Sequence, residues 1–150
     1  MSHILEVRGL QVAFAGERGN TIGTDRIDIS FDIFAGETFG VVGESGCGKS
    51  ITSLAVMGLL GRGGRVSQGE ILFNGRNLLK MDRKELDQVR GKELSMIFQD
   101  PLSSLNPVLT IGKQLEEGLK AHTELGKEER RKRALDLLGR AGIREAEAVM

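Results

Sequence analysis

The sequence is poor in cysteine: Cys47 stands alone among 150 residues. A single thiol excludes an internal disulfide framework and fits a reducing compartment. No sign of charge dominates either, with 21 Lys and Arg against 21 Asp and Glu. A balanced composition lacks the electrostatic footprint of nucleic-acid binding or of adhesion to an anionic membrane, so no nucleic-acid partner is expected. Long hydrophobic runs are missing too. The longest, Leu54 to Leu60, is broken by Gly58 and is far too short to cross a bilayer. The opening Met1-Ser2-His3-Ile4-Leu5-Glu6 has neither a basic start nor a long apolar stretch, and does not read as a secretory signal. The expectation is a soluble polypeptide forming one modest domain, with 39% apolar residues to build a core. Any membrane role would come through a partner.

Glycine is what the chain has in quantity, 21 residues of it. Residues 43–50 read Gly-Glu-Ser-Gly-Cys-Gly-Lys-Ser, a complete G-x-x-x-x-G-K-[ST] phosphate-binding loop. Small residues let Gly43, Glu44, Ser45, Gly46, Cys47 and Gly48 turn successive N–H groups toward a phosphate without a bulky Cβ in the way. Lys49 then reaches the β/γ-phosphates, the Ser50 hydroxyl is placed for Mg²⁺, and the Ile51 N–H remains a further donor. In a chain this rich in glycine, roughly one or two per cent of shuffled sequences would match by accident, the risk short motifs carry. Context lowers that. Glu37 to Val42 reads as an apolar strand, and Lys49 to Leu60 as a helix aiming its positive end at the anion. A flexible linker would not feed into an apolar helix. Cys47 itself reads as a small filler between Gly46 and Gly48.

The first third has the pattern of a half-exposed antiparallel sheet. Leu5 and Val7 alternate with Glu6 and Arg8, and after Gly9 the face continues through Leu10, Val12 and Phe14. Ala15 to Thr24 reads as a hairpin loop, and Ile27, Ile29, Phe31 and Ile33 as the alternate positions of a strand. The helix after the loop is apolar almost all round, which predicts burial between layers. Gly61 to Gln68 reads as a loop, then Glu70 to Phe73 as a strand entering an Asn74-Gly75 hairpin turn. Asp82 with Glu85 forms a capping pair opening a short helix, and Leu94 to Phe98 reads as another strand. Beyond Pro107 the period becomes helical: Ile111, Leu115 and Leu119 on one face, then Ala134, Leu137, Leu138 and Ala141.

Phosphate loops serve kinases, GTPases, helicases and transport ATPases alike. The segment from Met96 to Pro107, with Gln99-Asp100-Pro101 and Ser104-Leu105-Asn106-Pro107, resembles the glutamine loop of ABC transporter nucleotide-binding subunits. Its form, with Ala35-Gly36-Glu37-Thr38 before the phosphate loop, is similar to the branch serving oligopeptide, dipeptide and nickel importers. The resemblance covers essentially the whole chain. It implies an α/β phosphate-loop NTPase fold with an antiparallel β-subdomain: residues 1–99 hold that subdomain and the loop core, and 100–150 the glutamine loop and the start of a helical subdomain. It implies ATP and Mg²⁺ as cofactors, with Lys49 and Gln99 catalytic and Ser50 and Gln99 at the metal. A neutral amide suits the Gln99 role, since it accepts and donates together and moves without a large desolvation cost. Without the flanking Asp-Pro and Leu-Asn-Pro, a strand-end Gln99 capping a turn before Pro101 would be an equal reading. The family places an adenine-stacking aromatic where Phe14 stands; the bland reading is a core-face residue. With no Trp or Tyr in the chain, few side chains compete for that contact. Ile51 replaces a threonine common in the family, removing one hydroxyl.

The resemblance further implies permease transmembrane subunits and a second nucleotide-binding subunit as partners, with an extracytoplasmic solute-binding protein acting indirectly. The place of work would be the cytoplasmic face of the plasma (inner) membrane. No apolar strand ending in Asp or Glu follows Phe98, and no Leu-Ser-Gly-Gly occurs, so the chain reads as a truncated subunit, inactive alone. A GTPase is disfavoured because no Asn-Lys-x-Asp exists, and Asp136-Leu137-Leu138-Gly139 falls mid-helix. A small-molecule phosphotransferase fits poorly with the long strand-rich lead. His122, near a helix end, reads as a surface or capping residue, and His3 as uninformative. The expected function is ATP-powered import of peptides, with nickel import or a nucleotide-binding module without turnover as alternatives.

Overall fold

The computed structural model describes residues 2–15, 21–23, 28–101 and 104–150. They divide into two compact units, Met1–Leu86 and Asp87–Met150. The first is built on an antiparallel sheet around one long strand, β1 (His3–Ala15). Along one edge β1 pairs with β2 (Thr21–Gly23) through its C-terminal end and with β3 (Ile29–Phe34) through its N-terminal half. Along the other edge runs β4 (Gly64–Phe73), which turns into β5 (Arg76–Asn77). The helix α1 (Lys49–Val56) packs on β1 and β4.

Two bulges make β1 work. Leu5 and Val7 are buried on odd positions, Leu10 and Val12 on even ones. A regular strand cannot do this, because its side chains alternate with period two. Gly9, at φ 54°, absorbs the extra residue. Arg8 faces Glu70 and Gln11 faces Gln68, so Gly9 and Leu10 together oppose Gly69. The Gly9 N–H is taken by Ser30 Oγ at 2.8 Å. A second irregularity lies between His3 and Leu5 against β3. The core then gathers Leu5, Val7, Leu10, Val12, Ile71 and Phe73 from the sheet with Ala55, Val56 and Met57 from the α1 end.

The Asn74-Gly75 turn forms as expected, with φ of 49° and 75° and Phe73 paired to Arg76. The capping pair also forms. Asp82 Oδ1 accepts from the Glu85 N–H, and Glu85 Oε2 accepts from the Asp82 N–H, both at 2.8 Å. They open α2 (Arg83–Val89). Asp82→Ala should cost about 1 kcal/mol of stability, read as a lower urea midpoint with unchanged slope.

Several expectations are corrected. Residues 64–68, expected in a loop, are the first half of β4, and residues 21–23, expected in a hairpin loop, pair with β1 as β2. Ala15, also expected in that loop, is the last residue of β1, and residues 16–20, 24 and 27 lie outside the described residues. The helix from Lys49 ends at Val56 rather than Leu60, since Gly58 turns to φ 59°. It is not buried all round: Ile51 and Leu54 are half-buried and Leu59 is exposed. Neither Glu37–Val42 nor Leu94–Phe98 is a strand. The first lies outside any ladder and the second makes only an isolated bridge, Arg90 with Leu94. Val42 is 93% exposed and Ile97 91%. A strand is defined by its neighbour, and among the described residues no segment supplies one.

The second unit contains α3 (Ile111–His122) and α4 (Lys127–Arg140), which pack together through a partly buried face including Ala134 and Leu138. Thr110 Oγ1 caps α3 by accepting from the Lys113 N–H at 3.3 Å. Asp136 lies on α4 and pairs with Arg133 at 3.0 Å. His122 ends α3, and Gly91 leaves room for its ring: a Cβ there would stand 2.8 Å from Nε2.

Candidate phosphate-binding site

The segment from Gly43 to Ser50 forms a tight loop leading straight into α1. Gly46 and Gly48 have φ of 82° and 98°. A Cβ at either would meet nothing within 4 Å, so these glycines are needed for backbone conformation rather than for space. Left-handed residues among right-handed ones turn consecutive N–H groups to one side, the concave nest that receives anions. Gly43 is needed for a different reason. A Cβ there would lie 2.7 Å from Cys47 Sγ, so the thiol sits over the loop's first residue. The Cys47 side chain lies against Gly43, and its main-chain N–H donates to Glu44 O at 3.3 Å, a turn bond that does not depend on the thiol.

Lys49 is folded back over the same loop. Its Nζ donates to Gly43 O at 2.7 Å and Glu44 O at 2.6 Å, with Cys47 Sγ 3.5 Å away. The ammonium is thus already positioned at the loop, held by neutral carbonyls that a phosphate oxygen can outbid as partner. No acidic side chain occupies the first turn of α1, leaving its N-terminal N–H groups to an anion. The Thr52 and Ser53 hydroxyls are bonded back to Gly48 O and Lys49 O. Ser50 is exposed on that turn, the position a magnesium-binding hydroxyl requires. Ile51 follows, half-buried. The residues present therefore fit a nucleotide phosphate and its Mg²⁺.

Phe14 belongs to the same unit, near the end of β1. Its ring lies over Gly64, where a Cβ would stand 2.8 Å from Cε1. Gln99 belongs to the second unit, exposed at a bend before Pro101. The aromatic contact that sequence reasoning missed is Phe31 on Phe39, stacked at 5.1 Å, which anchors the approach to the loop on β3. Also missed is a cluster of His3, Glu6 and Asp32 on the β1–β3 ladder.

Loop, left-handed glycines and the helix behind them define a phosphate-loop nucleotide-binding protein carrying an antiparallel β-subdomain. The chain belongs to the ABC transporter family, whose model matches residues 27–149. It is 46% identical over 144 residues to the dipeptide transport ATP-binding protein DppD of Bacillus subtilis, covering 95% of this chain and 42% of that protein. It is 44% identical to the oligopeptide transport ATP-binding protein AppD of the same organism, covering 100% and 45%, and 43% identical to OppD of Salmonella typhimurium, covering 95% and 42%. The chain spans less than half the length of these relatives. Among solved structures, the dimeric structure of MJ0796, a bacterial ABC transporter cassette, superposes with a TM-score of 0.76 at 25% identity, covering 94% of this chain and 58% of that one. A post-hydrolysis state of MJ0796 bound to ADP and Pi gives 0.74 at 26% identity with the same coverage.

Proposed function

We propose that this chain is the nucleotide-binding part of an ATP-driven importer of peptides. The observation that carries the reading is the loop at 43–50, with its left-handed glycines and a lysine already held at its carbonyls. The peptide transport relatives support the substrate class, with nickel or another small solute as the alternative for the same branch.

In this reading the loop N–H groups and Lys49 bind and orient the triphosphate, and Ser50 and Gln99 are the protein ligands of Mg²⁺. Phe14 stacks on the adenine. Mg²⁺ supplies charge neutralisation between the phosphates when bound. Gln99 holds or orients an attacking water through its amide and links nucleotide state to the permease transmembrane subunits. A second nucleotide-binding subunit completes the assembly, as the dimeric MJ0796 cassette suggests by analogy. The solute-binding protein is an indirect partner across the membrane. No described helix is long and apolar enough to cross a bilayer, which suits a peripheral subunit on the cytoplasmic face.

The test combines ATP titration calorimetry on the purified protein with a phosphate-release assay on the transporter assembled around it, each with the Gln99→Ala variant alongside. ATP should bind in preference to GTP. Gln99→Ala should keep ATP affinity within a few-fold while lowering turnover about tenfold or more, the pattern of a group acting in the transition state. Binding without any phosphate release would instead favour the module that responds to nucleotide without hydrolysing it.

A further inference from the structure

We propose that the β1–β3 ladder carries a second, separate ligand site, one that takes a divalent first-row transition metal such as Zn²⁺ through His3, Glu6 and Asp32. His3 Nδ1 stands 3.8 Å from Asp32 Oδ2 and 3.9 Å from Glu6 Oε2, and the three donor atoms lie within 4.8 Å of one another. A tetrahedral ion with bonds near 2.1 Å needs donors about 3.4 Å apart, so the two His3 distances close by about half an ångström and the widest pair by no more than about 1.4 Å, within reach of side-chain rotation. One imidazole with two carboxylates is a mixed nitrogen and oxygen set. It suits zinc and its neighbours better than magnesium or calcium, which prefer oxygen alone.

The geometry comes from the fold. Residues three apart on a regular strand point to opposite faces, so His3 and Glu6 should be separated. The irregularity between His3 and Leu5 puts one extra residue into β1. His3 then faces Phe34 across the ladder while Glu6 faces Asp32, and all four share one side of the sheet. The donors are also held in place. The His3 ring leans on Phe34 with centroids 4.5 Å apart. Ser2 O accepts from the Ala35 N–H at 3.1 Å and Ile4 O from the Asn74 N–H at 2.8 Å, so the chain is pinned on both sides of His3. The Glu6 side chain is only 17% exposed.

Arg8 is the competing group. Its guanidinium donates to Glu6 Oε2, the oxygen nearest His3. A metal must share or displace that contact, which gives the proposal a distinctive test. Zn²⁺ is titrated into the purified protein carrying Cys47→Ser, so that the thiol cannot compete, with a chromophoric chelator reporting free metal. One equivalent should bind, shifting the His3 ring ¹H–¹⁵N signals. His3→Ala and the near-isosteric Asp32→Asn should each weaken that equivalent about tenfold or more, the scale of losses at metal sites. His122→Ala should leave it unchanged, and Arg8→Gln should strengthen it. Unaltered Zn²⁺ affinity in both His3→Ala and Asp32→Asn, or an equal loss in His122→Ala, would overturn the assignment.

Discussion

Gly69→Ala should destabilise the protein by about 3–5 kcal/mol, far more than most substitutions of so small a group. Two effects combine at this position. Gly69 has φ 95°, where a side chain strains the backbone by about 1–2 kcal/mol. A Cβ there would also press on the Gly9 carbonyl oxygen and stand 2.6 Å from Arg8 O, with Gly9 C at 2.7 Å. These are main-chain atoms of the neighbouring strand. No rotamer change relieves the contact, so β1 and β4 must separate at the bulge that aligns both halves of the core. Gly9→Ala is the control. Gly9 has φ 54° but open space around a Cβ, so only the conformational strain remains and the loss should be about 1 kcal/mol. Urea denaturation of the two variants measures the difference; equal losses would mean that strand approach at Gly69 contributes nothing.

The second large effect is expected at Lys49. Lys49→Ala should raise the dissociation constant for ATP about a hundredfold, since charge-assisted hydrogen bonds contribute about 1.5–3 kcal/mol each. Adenosine, which has no phosphate, should bind the variant and the parent alike. Lys49 also tethers Gly43 O and Glu44 O, so the variant loop should lose this internal bracing and exchange its amide protons faster. Lys49→Arg should restore little, because a planar fork cannot replace a point charge folded over two carbonyls. Calorimetry with ATP and adenosine separates these outcomes. An ATP affinity within twofold of the parent's in Lys49→Ala would remove the phosphate loop from the account of nucleotide binding.

The site was more legible in the sequence than the sheet was. Residues 43–50 carry their conformation locally: Gly46 and Gly48 take the left-handed values the motif requires, and the helix starts at Lys49. Gln99 was singled out as a candidate only through its neighbours Asp100, Pro101 and Asn106, which mark the family resemblance, and its role is a proposal. What Lys49 bonds in the folded loop, and that Cys47 Sγ covers Gly43, are distances no spacing rule supplies. The His3 cluster was invisible for a simpler reason: period two places His3 and Glu6 on opposite faces.

The sequence by itself determined the features that a few consecutive residues decide. These are the phosphate loop, the Asn74-Gly75 turn, the Asp82–Glu85 cap and the switch of the apolar face at Gly9. Tertiary structure decided which extended segments became strands. Residues 64–68 read as loop yet gain a ladder from β1, whereas 37–42 and 94–98 read as strands and lie without one. The physical reason is that turns and caps satisfy their hydrogen bonds within a few residues of chain. A strand's N–H and C=O groups must be met by a segment distant in sequence, and side-chain pattern alone does not say whether that partner is there.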